Sequence, residues 1–301
     1  MSLWVDTDYG FDDLWALLLL RHAKCAVAGI SLVAGNATLD RVIANAQGAA
    51  LAYGIDAPLY AGAATPLRRD QETAERILGP QGMTSRGRFL PRSNDAPPPR
   101  DGVAALAQWL MAPTATRQVL ALGPLTNIAL LVQRFPQAAA RITRLVWMGG
   151  SNGPGNHSAM AEFNALADPE ALDQVVRAAV PLDIVDLSFC RQVRFGPADM
   201  PICDPLTADL LGGYLDIGLS RGRDGMAIYD PLAALAITAP QLMRFERYRM
   251  KVSLRVDDSY GATTFLADPA GPVRLATLPS PICARSCLDA LRTEKHHGLS
   301  H

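Results

Sequence analysis

Short apolar runs alternate with longer amphipathic or apolar stretches along most of the chain. The runs Leu3 to Val5, Ala28 to Val33, Pro58 to Tyr60, Gln118 to Leu122, Arg144 to Met148 and Leu182 to Val185 predict strands. Between them, Asp12 to Lys24, Leu39 to Tyr53, Gly102 to Met111, Thr126 to Arg134 and Pro169 to Ala178 predict helices. This alternation implies βαβ units and hence an α/β fold, with an open, mostly parallel, Rossmann-like central sheet flanked by helices. Asp168-Pro169 and Asp230-Pro231 each place a capping carboxylate before a proline suited to a first helical turn, and Thr126 is expected to cap the helix after it. The final third adds β-rich segments around Tyr248 to Val256 and Ala262 to Leu266. Residues 68–100 are rich in Pro, Gly and charge and read as a long loop with one helix, in the manner of a lid or binding segment. No repeat or linker divides the chain, so 1–301 is expected to form a single domain, with residues 292–301 a disordered tail carrying His296, His297 and His301.

Composition narrows the function. Apolar residues make up 49% of 301, enough for a large core. Lys plus Arg (28) nearly balances Asp plus Glu (29), and aromatics are only 6%, so neither phosphate neutralisation nor base stacking on a nucleic acid is expected. The apolar run Leu14 to Leu20 falls well short of the ~18 residues of a membrane span. The first residues show neither a basic segment nor a small-residue cleavage site, so no secretory signal is expected and a cytoplasmic protein is. Five cysteines at irregular spacing predict buried reduced thiols rather than a disulfide framework. Cys283 and Cys287 share a helix face, but no second pair completes a zinc site.

The chemistry concentrates in Asp6-Thr7-Asp8-Tyr9-Gly10-Phe11-Asp12-Asp13, where four carboxylates sit between apolar flanks. A strand running into a buried helix would hold these acids where water is scarce. There they must be protonated or share a hard, oxygen-seeking cation. A first-turn acidic pair favouring the helix dipole would account for Asp12 and Asp13 but not for Asp6 and Asp8. An EF-hand loop beginning at Asp6 fails, because Phe11 stands where glycine is needed and Leu17 where an acid is needed. The Asp-x-Asp opening of haloacid-dehalogenase-like phosphatases continues into Gly-Thr, which Tyr9-Gly10-Phe11 does not match.

Ligands of open α/β sheets bind beyond the carboxyl ends of the strands. Just past the expected strands come Asp6 to Asp13, Gly35-Asn36, Ala61-Gly62, Gly123-Pro124, Gly149-Gly150 and Asp186, so glycines and polar groups converge on one edge.

Taken in order, Asp6-Thr7-Asp8-x-Gly10-x-Asp12-Asp13, Gly35-Asn36, Tyr60-Ala61-Gly62-Ala63, Gly123-Pro124-Leu125-Thr126-Asn127, Met148-Gly149-Gly150, Glu162-Phe163-Asn164, Ala167-Asp168-Pro169-Glu170 and Asp230-Pro231-Leu232-Ala233 form a set spanning most of the chain. This set resembles the inosine–uridine-preferring nucleoside hydrolases, which cut the N-glycosidic bond of ribonucleosides. The resemblance implies the nucleoside hydrolase fold, a ribonucleoside substrate, a homodimer or homotetramer, and a calcium ion (Ca2+) held by Asp8, Asp13, Asp230 and the backbone carbonyl of Leu122. It further implies that Asp8 is the general base, that Asp12 and Asn36 bind the ribose 2′- and 3′-hydroxyls with Asp230 sharing the 3′-hydroxyl, that Asn156, Glu162 and Asn164 hold the 5′ side, and that Met148 approaches the ring. Asp168 and Glu170 read as a cap and a first-turn acid, outside the site.

Two departures concern the leaving group. Tyr229 stands where many members have a histidine that can protonate the departing base; a tyrosine there can stack on the base or donate through its hydroxyl. The His-Gly pair common in the long loop is replaced by Leu78-Gly79-Pro80-Gln81-Gly82-Met83. The competing reading is a non-catalytic ribosyl-ligand binder that retains the metal site.

Overall fold

The computed structural model describes residues 2–113 and 117–293. The expected tail beyond Thr293, with its three histidines, lies outside the described residues. The chain runs β1 (Ser2–Thr7), α1 (Phe11–His22), β2 (Ala26–Leu32), α2 (Leu39–Tyr53), β3 (Leu59–Ala61), α3 (Glu75–Leu78), α4 (Gly102–Met111), β4 (Gln118–Ala121), α5 (Thr126–Arg134), α6 (Pro136–Ala139) and β5 (Arg144–Met148). It continues with α7 (Phe163–Ala167), α8 (Pro169–Arg177), β6 (Leu182–Val185), α9 (Leu187–Cys190), β7 (Arg194–Phe195), α10 (Pro205–Leu219), β8 (Met226–Ala227), α11 (Asp230–Thr238), β9 (Met243–Val252), β10 (Thr263–Ala267), β11 (Val273–Pro279) and α12 (Cys283–Asp289).

Nine strands form one sheet in the order β10-β9-β11-β6-β5-β4-β1-β2-β3. From β11 to β3 every neighbouring pair is parallel, while β9 runs antiparallel to both β11 and β10. The chain moves outward from β1 through β2 to β3, then returns to place β4 on the other side of β1. The crevice at that reversal, beyond the carboxyl ends of β1 and β4, is where such sheets take ligands.

Alternation along β1 explains its position. Leu3 and Val5 join the core on one face of the sheet and Trp4 joins the core on the other, so the strand is apolar on both sides, as a central parallel strand must be. Helix α1 buries Leu14 through Leu20 and packs on α11; each buried leucine contributes about 1.5–3 kcal/mol. Among the described residues no disulfide forms, and Cys190, Cys283 and Cys287 are buried.

Several expectations change in the tertiary structure. Thr126 is not a cap: the cap position of α5 is Leu125, and Thr126 Oγ1 instead donates to Asp168 Oδ2 at 2.7 Å. Asp230 is likewise not a cap; it is the first residue of α11, after Tyr229. Asp168 does cap α8, accepting from Ala171 N at 3.0 Å, while Glu170 accepts from the Tyr260 hydroxyl at 2.6 Å. Strand β11 lies outside both expected β-rich segments. It joins the antiparallel pair to the parallel sheet, where Asp183 of β6 accepts from Arg144 Nε of β5 at 2.7 Å and from Arg274 Nε of β11 at 2.6 Å. Residues 68–100 hold one four-residue helix, α3, as expected.

Candidate active site

The loop after β1 is built by its own polar groups. Thr7 Oγ1 donates to Asp13 Oδ1 and accepts from Tyr9 N at 3.1 Å. Asp13 Oδ2 accepts from Gly10 N at 2.7 Å, closing the first turn of α1. The turn forces Tyr9 to a φ of 49°, a region costly for a side chain with a Cβ, and residues held there are often part of a functional site. Asn45 Nδ2 then ties this loop to the long segment by donating to Tyr9 O (3.2 Å) and Gln81 O (2.9 Å).

Asp6 belongs to the scaffold. Its Oδ1 accepts from Ser31 Oγ and from Asn127 Nδ2 at 2.8 Å, and Asn127 Oδ1 accepts from Ala63 N at 2.8 Å. One buried carboxylate thus clamps β1, β2, the segment after β3 and α5 together. Burial pushes it up to about 7, against the pull of these two donors.

Asp8 sits in a cage that only glycines permit. A Cβ on Gly35 would lie 2.2 Å from Asp8 Oδ2, and one on Gly123 would lie 3.0 Å from its Cγ. Asn36 holds the carboxylate in place through its backbone N–H (2.7 Å) and its Nδ2 (3.1 Å). Burial and then the charge of Asp13 raise Asp8 well above the usual carboxylate range.

Beside it, carboxylate oxygens of Asp12, Asp13 and Asp230 lie within 4.8 Å of one another. Burial is the main cause of a raised pKa in each. Asp13 adds to the effect on Asp12, which reaches about 7, and Asp12, Asp13 and Asp8 add to it on Asp230. Two unit charges at such a separation repel by roughly 3 kcal/mol at an effective dielectric constant near 20, so three ionised acids would cost roughly 10 kcal/mol. That rivals the whole stability of a domain. Among the described residues no arginine, lysine or histidine forms an ion pair with Asp8, Asp12, Asp13 or Asp230. The donor set is all oxygen, so a hard divalent cation fits it.

Above these acids opens a cavity of about 250 Å³. Asp12, Asn36, Leu122, Met148 and Asp230 line its lower part, whereas Asp8 and Asp13 are buried beneath. Asn156, Glu162 and Asn164 form one wall. Glu162 caps α7, accepting from Gly150 N (2.8 Å), Asn164 N (2.9 Å) and Ala165 N (3.0 Å), and burial still pushes it up to about 7. Asn156 Oδ1 accepts from Phe163 N at 2.9 Å, which fixes its loop against α7. Tyr229 also lines the cavity, as do Ile77 and Leu78 of α3, while Met83 is buried in the core.

Of the expected site residues, Asp12, Asn36, Leu122, Met148, Asn156, Glu162, Asn164, Tyr229 and Asp230 line the cavity, and Asp8 and Asp13 lie buried behind that lining. The structure adds others that the sequence pattern did not single out. Tyr214 of α10 is buried, points its hydroxyl at Ala227 O (3.1 Å) and Asp12 Oδ2 (3.4 Å), and meets Tyr229 edge-on at 6.5 Å. Arg191, Arg221, Arg223 and His157 stand at the rim. Within an apolar helix Tyr214 reads as ordinary core, and the arginines lie on short connections without any periodic signal.

The model of the family described as "Inosine-uridine preferring nucleoside hydrolase" matches residues 3–285. The chain belongs to this family. The non-specific ribonucleoside hydrolase RihC of Salmonella paratyphi A is 32% identical over 289 residues, covering 95% of this chain and 92% of that protein. The pyrimidine-specific ribonucleoside hydrolase RihB of Escherichia coli (strain SE11) is 29% identical over 272 residues, covering 86% and 85%. In fold, the chain is similar to a purine-preferring ribonucleoside hydrolase from Gardnerella vaginalis, with a TM-score of 0.88 at 22% identity over 97% of this chain and 98% of that one. The names of these similar proteins differ in base preference, so similarity alone does not select a base.

Proposed function

We propose that this family member hydrolyses the N-glycosidic bond of ribonucleosides, releasing ribose and a free base. The observation that carries this reading is the caged Asp8 beside Asp12, Asp13 and Asp230, at the β1–β4 reversal and beneath a cavity of nucleoside scale.

Calcium is the ion this reading assigns to the acids, with Asp8, Asp13, Asp230 and the Leu122 carbonyl as ligands. When bound, it would neutralise the crowded carboxylates and acidify an adjacent water. Asp12 belongs to the tightest acid group and also faces the cavity, where it and Asn36 bind the ribose 2′- and 3′-hydroxyls, with Asp230 sharing the 3′-hydroxyl. Asp8 is the general base. Asn36 aims its carboxylate through the backbone N–H at 2.7 Å and Nδ2 at 3.1 Å. Glu162, Asn156 and Asn164 hold the 5′ side, and the Met148 backbone approaches the ring. As the glycosidic bond lengthens, positive charge grows on the ribosyl ring, and the acids below stabilise it. Tyr229 lies against the base. A homodimer or homotetramer and a cytoplasmic setting complete the reading; among the described residues no helix is long and apolar enough to cross a membrane.

The test is reducing-sugar release from a panel of ribonucleosides and p-nitrophenyl riboside, with calcium, for wild type and Asp8→Ala. Release by wild type, lost in the variant, supports the hydrolase and reveals the base preference. Calcium and ribose binding without release from any riboside would make the protein a ribosyl-ligand binder.

A further inference from the structure

The four crowded aspartates of this site lie at its floor, and the rim of the same cavity is cationic. Arg191, Arg221 and Arg223 line the mouth beside Tyr229. Among the described residues none of the three forms an ion pair, whereas Asp224 pairs with Arg194 (2.7 Å), Asp216 with Arg86 (2.7 Å) and Glu72 with His157 (2.6 Å). Arg191 is anchored without being neutralised, donating to the carbonyls of Pro154 (2.6 Å) and Gly155 (2.7 Å). Arg223 follows Gly222, whose φ of 70° makes the tight turn that brings it back over the cavity.

Two side chains on that side carry a transferable proton, and one of them is already engaged. Tyr229 meets Tyr214 edge-on with ring centroids 6.5 Å apart, and Arg191 and Arg223 are near enough for their charges to act on its hydroxyl. His157 has Nε2 bound to Glu72 and its ring packed against Phe163 at 5.5 Å.

We propose that Arg223, together with Arg191, stabilises the departing base as an anion, so that cleavage here does not depend on protonating the leaving group. The inference rests on the hydrolase reading. In the step, the C1′–N bond breaks and its electron pair stays on the base nitrogen. The water oxygen bonds to C1′, and the water's proton passes to Asp8. The base leaves with its negative charge spread over the ring and its carbonyl oxygens, where guanidinium N–H groups can donate in pairs, and takes a proton from solvent after release. This is leaving-group assistance by fixed charge, the same physics as an oxyanion hole.

The test uses the full-length protein with calcium and a series of aryl ribosides of rising phenol pKa, alongside inosine and uridine, for wild type, Arg223→Gln, Arg223→Lys and His157→Gln. A worse leaving group needs more help. Arg223→Gln is therefore expected to cost little with p-nitrophenyl riboside and at least about tenfold in kcat with phenyl riboside and the better nucleoside, giving a steeper dependence on leaving-group pKa. Arg223→Lys should recover part of the loss, because it keeps the charge but not the fork. An unchanged slope in Arg223→Gln overturns the proposal, and so does a slope that steepens only in His157→Gln, which would reveal a proton donor. If wild type releases no sugar even from p-nitrophenyl riboside, the hydrolase reading itself fails, an outcome distinct from an insensitive Arg223. Arg223 is exposed, so an unaltered unfolding temperature confirms that the variant is folded.

Discussion

The side-chain amide of Asn164 donates to the carbonyl oxygen of Leu122 at 2.8 Å and, with its other hydrogen, to that of Met148 at 3.0 Å. One residue of α7 thereby sets the direction of the carbonyls at the ends of β4 and β5, leaving only Oδ1 for a ligand. Because Leu122 is the backbone ligand assigned to calcium, this amide would orient the ion's coordination shell. Asn164→Asp puts a carboxylate oxygen against two carbonyls. Calcium affinity is expected to fall roughly 10–100-fold, the usual effect of losing a partner that orients a ligand, and titration calorimetry reads it directly. An unchanged affinity would separate the Leu122 carbonyl from the metal site.

The cage around Asp8 gives a second prediction. Gly35→Ala places a methyl group 2.2 Å from Asp8 Oδ2, and Asp8 must move because the same methyl is held on its other side by Pro124 Cδ at 2.8 Å. A misplacement near 1 Å at a reacting group costs on the order of 100-fold. We expect kcat to drop by that order while the unfolding temperature changes far less. Full activity in Gly35→Ala would mean that Asp8 is not the base.

Tyr229 should matter for fit rather than for proton transfer. A general acid contributes ~100–10,000-fold, and a hydroxyl pushed up to about 12 cannot supply that near neutrality. Tyr229→Phe is therefore expected to lose less than about tenfold in kcat/KM, with the pH profile unchanged. Loss of the alkaline limb in the variant would restore tyrosine as the acid.

Glu162 makes stability depend on pH. Its folded pKa, about 7, lies above the ordinary 4.5, so the neutral form is the one the fold favours. Its contribution is fully present below 4.5 and is lost as pH rises through 7, a change of about 3 kcal/mol. In chelator, wild type should lose stability to denaturant between pH 5 and pH 8, and Glu162→Gln should lose measurably less. Parallel curves for the two proteins would refute the assignment.

Much of this was legible in the sequence, for identifiable reasons. The six strands from β1 to β6 and the helices between them are repeated local patterns of apolar residues, and burial on both faces of a parallel sheet leaves little freedom in how such runs are used. The acids Asp8, Asp12 and Asp13 stand within six residues, so their crowding, and the need for protons or a cation, follows from composition alone. Ordered motifs along the chain also identified the family, several of them marking turns that follow β1, β2, β3, β4 and β5.

What the chain's linear pattern could not decide was which distant groups would meet. Asp230 reads as a helix cap beside its own proline, and only the packing of α11 on α1 carries it to Asp12 and Asp13. Thr126 reads as a cap for the same local reason, and finds Asp168 of α8 instead. The two carbonyl bonds of Asn164 and the placing of Arg191, Arg223 and Tyr229 around one cavity likewise depend on sheet order and on where short connections return. Local propensity decides how a segment folds on itself. The polar partners it finds across the molecule are set by the summed burial of the whole core, which no segment contains.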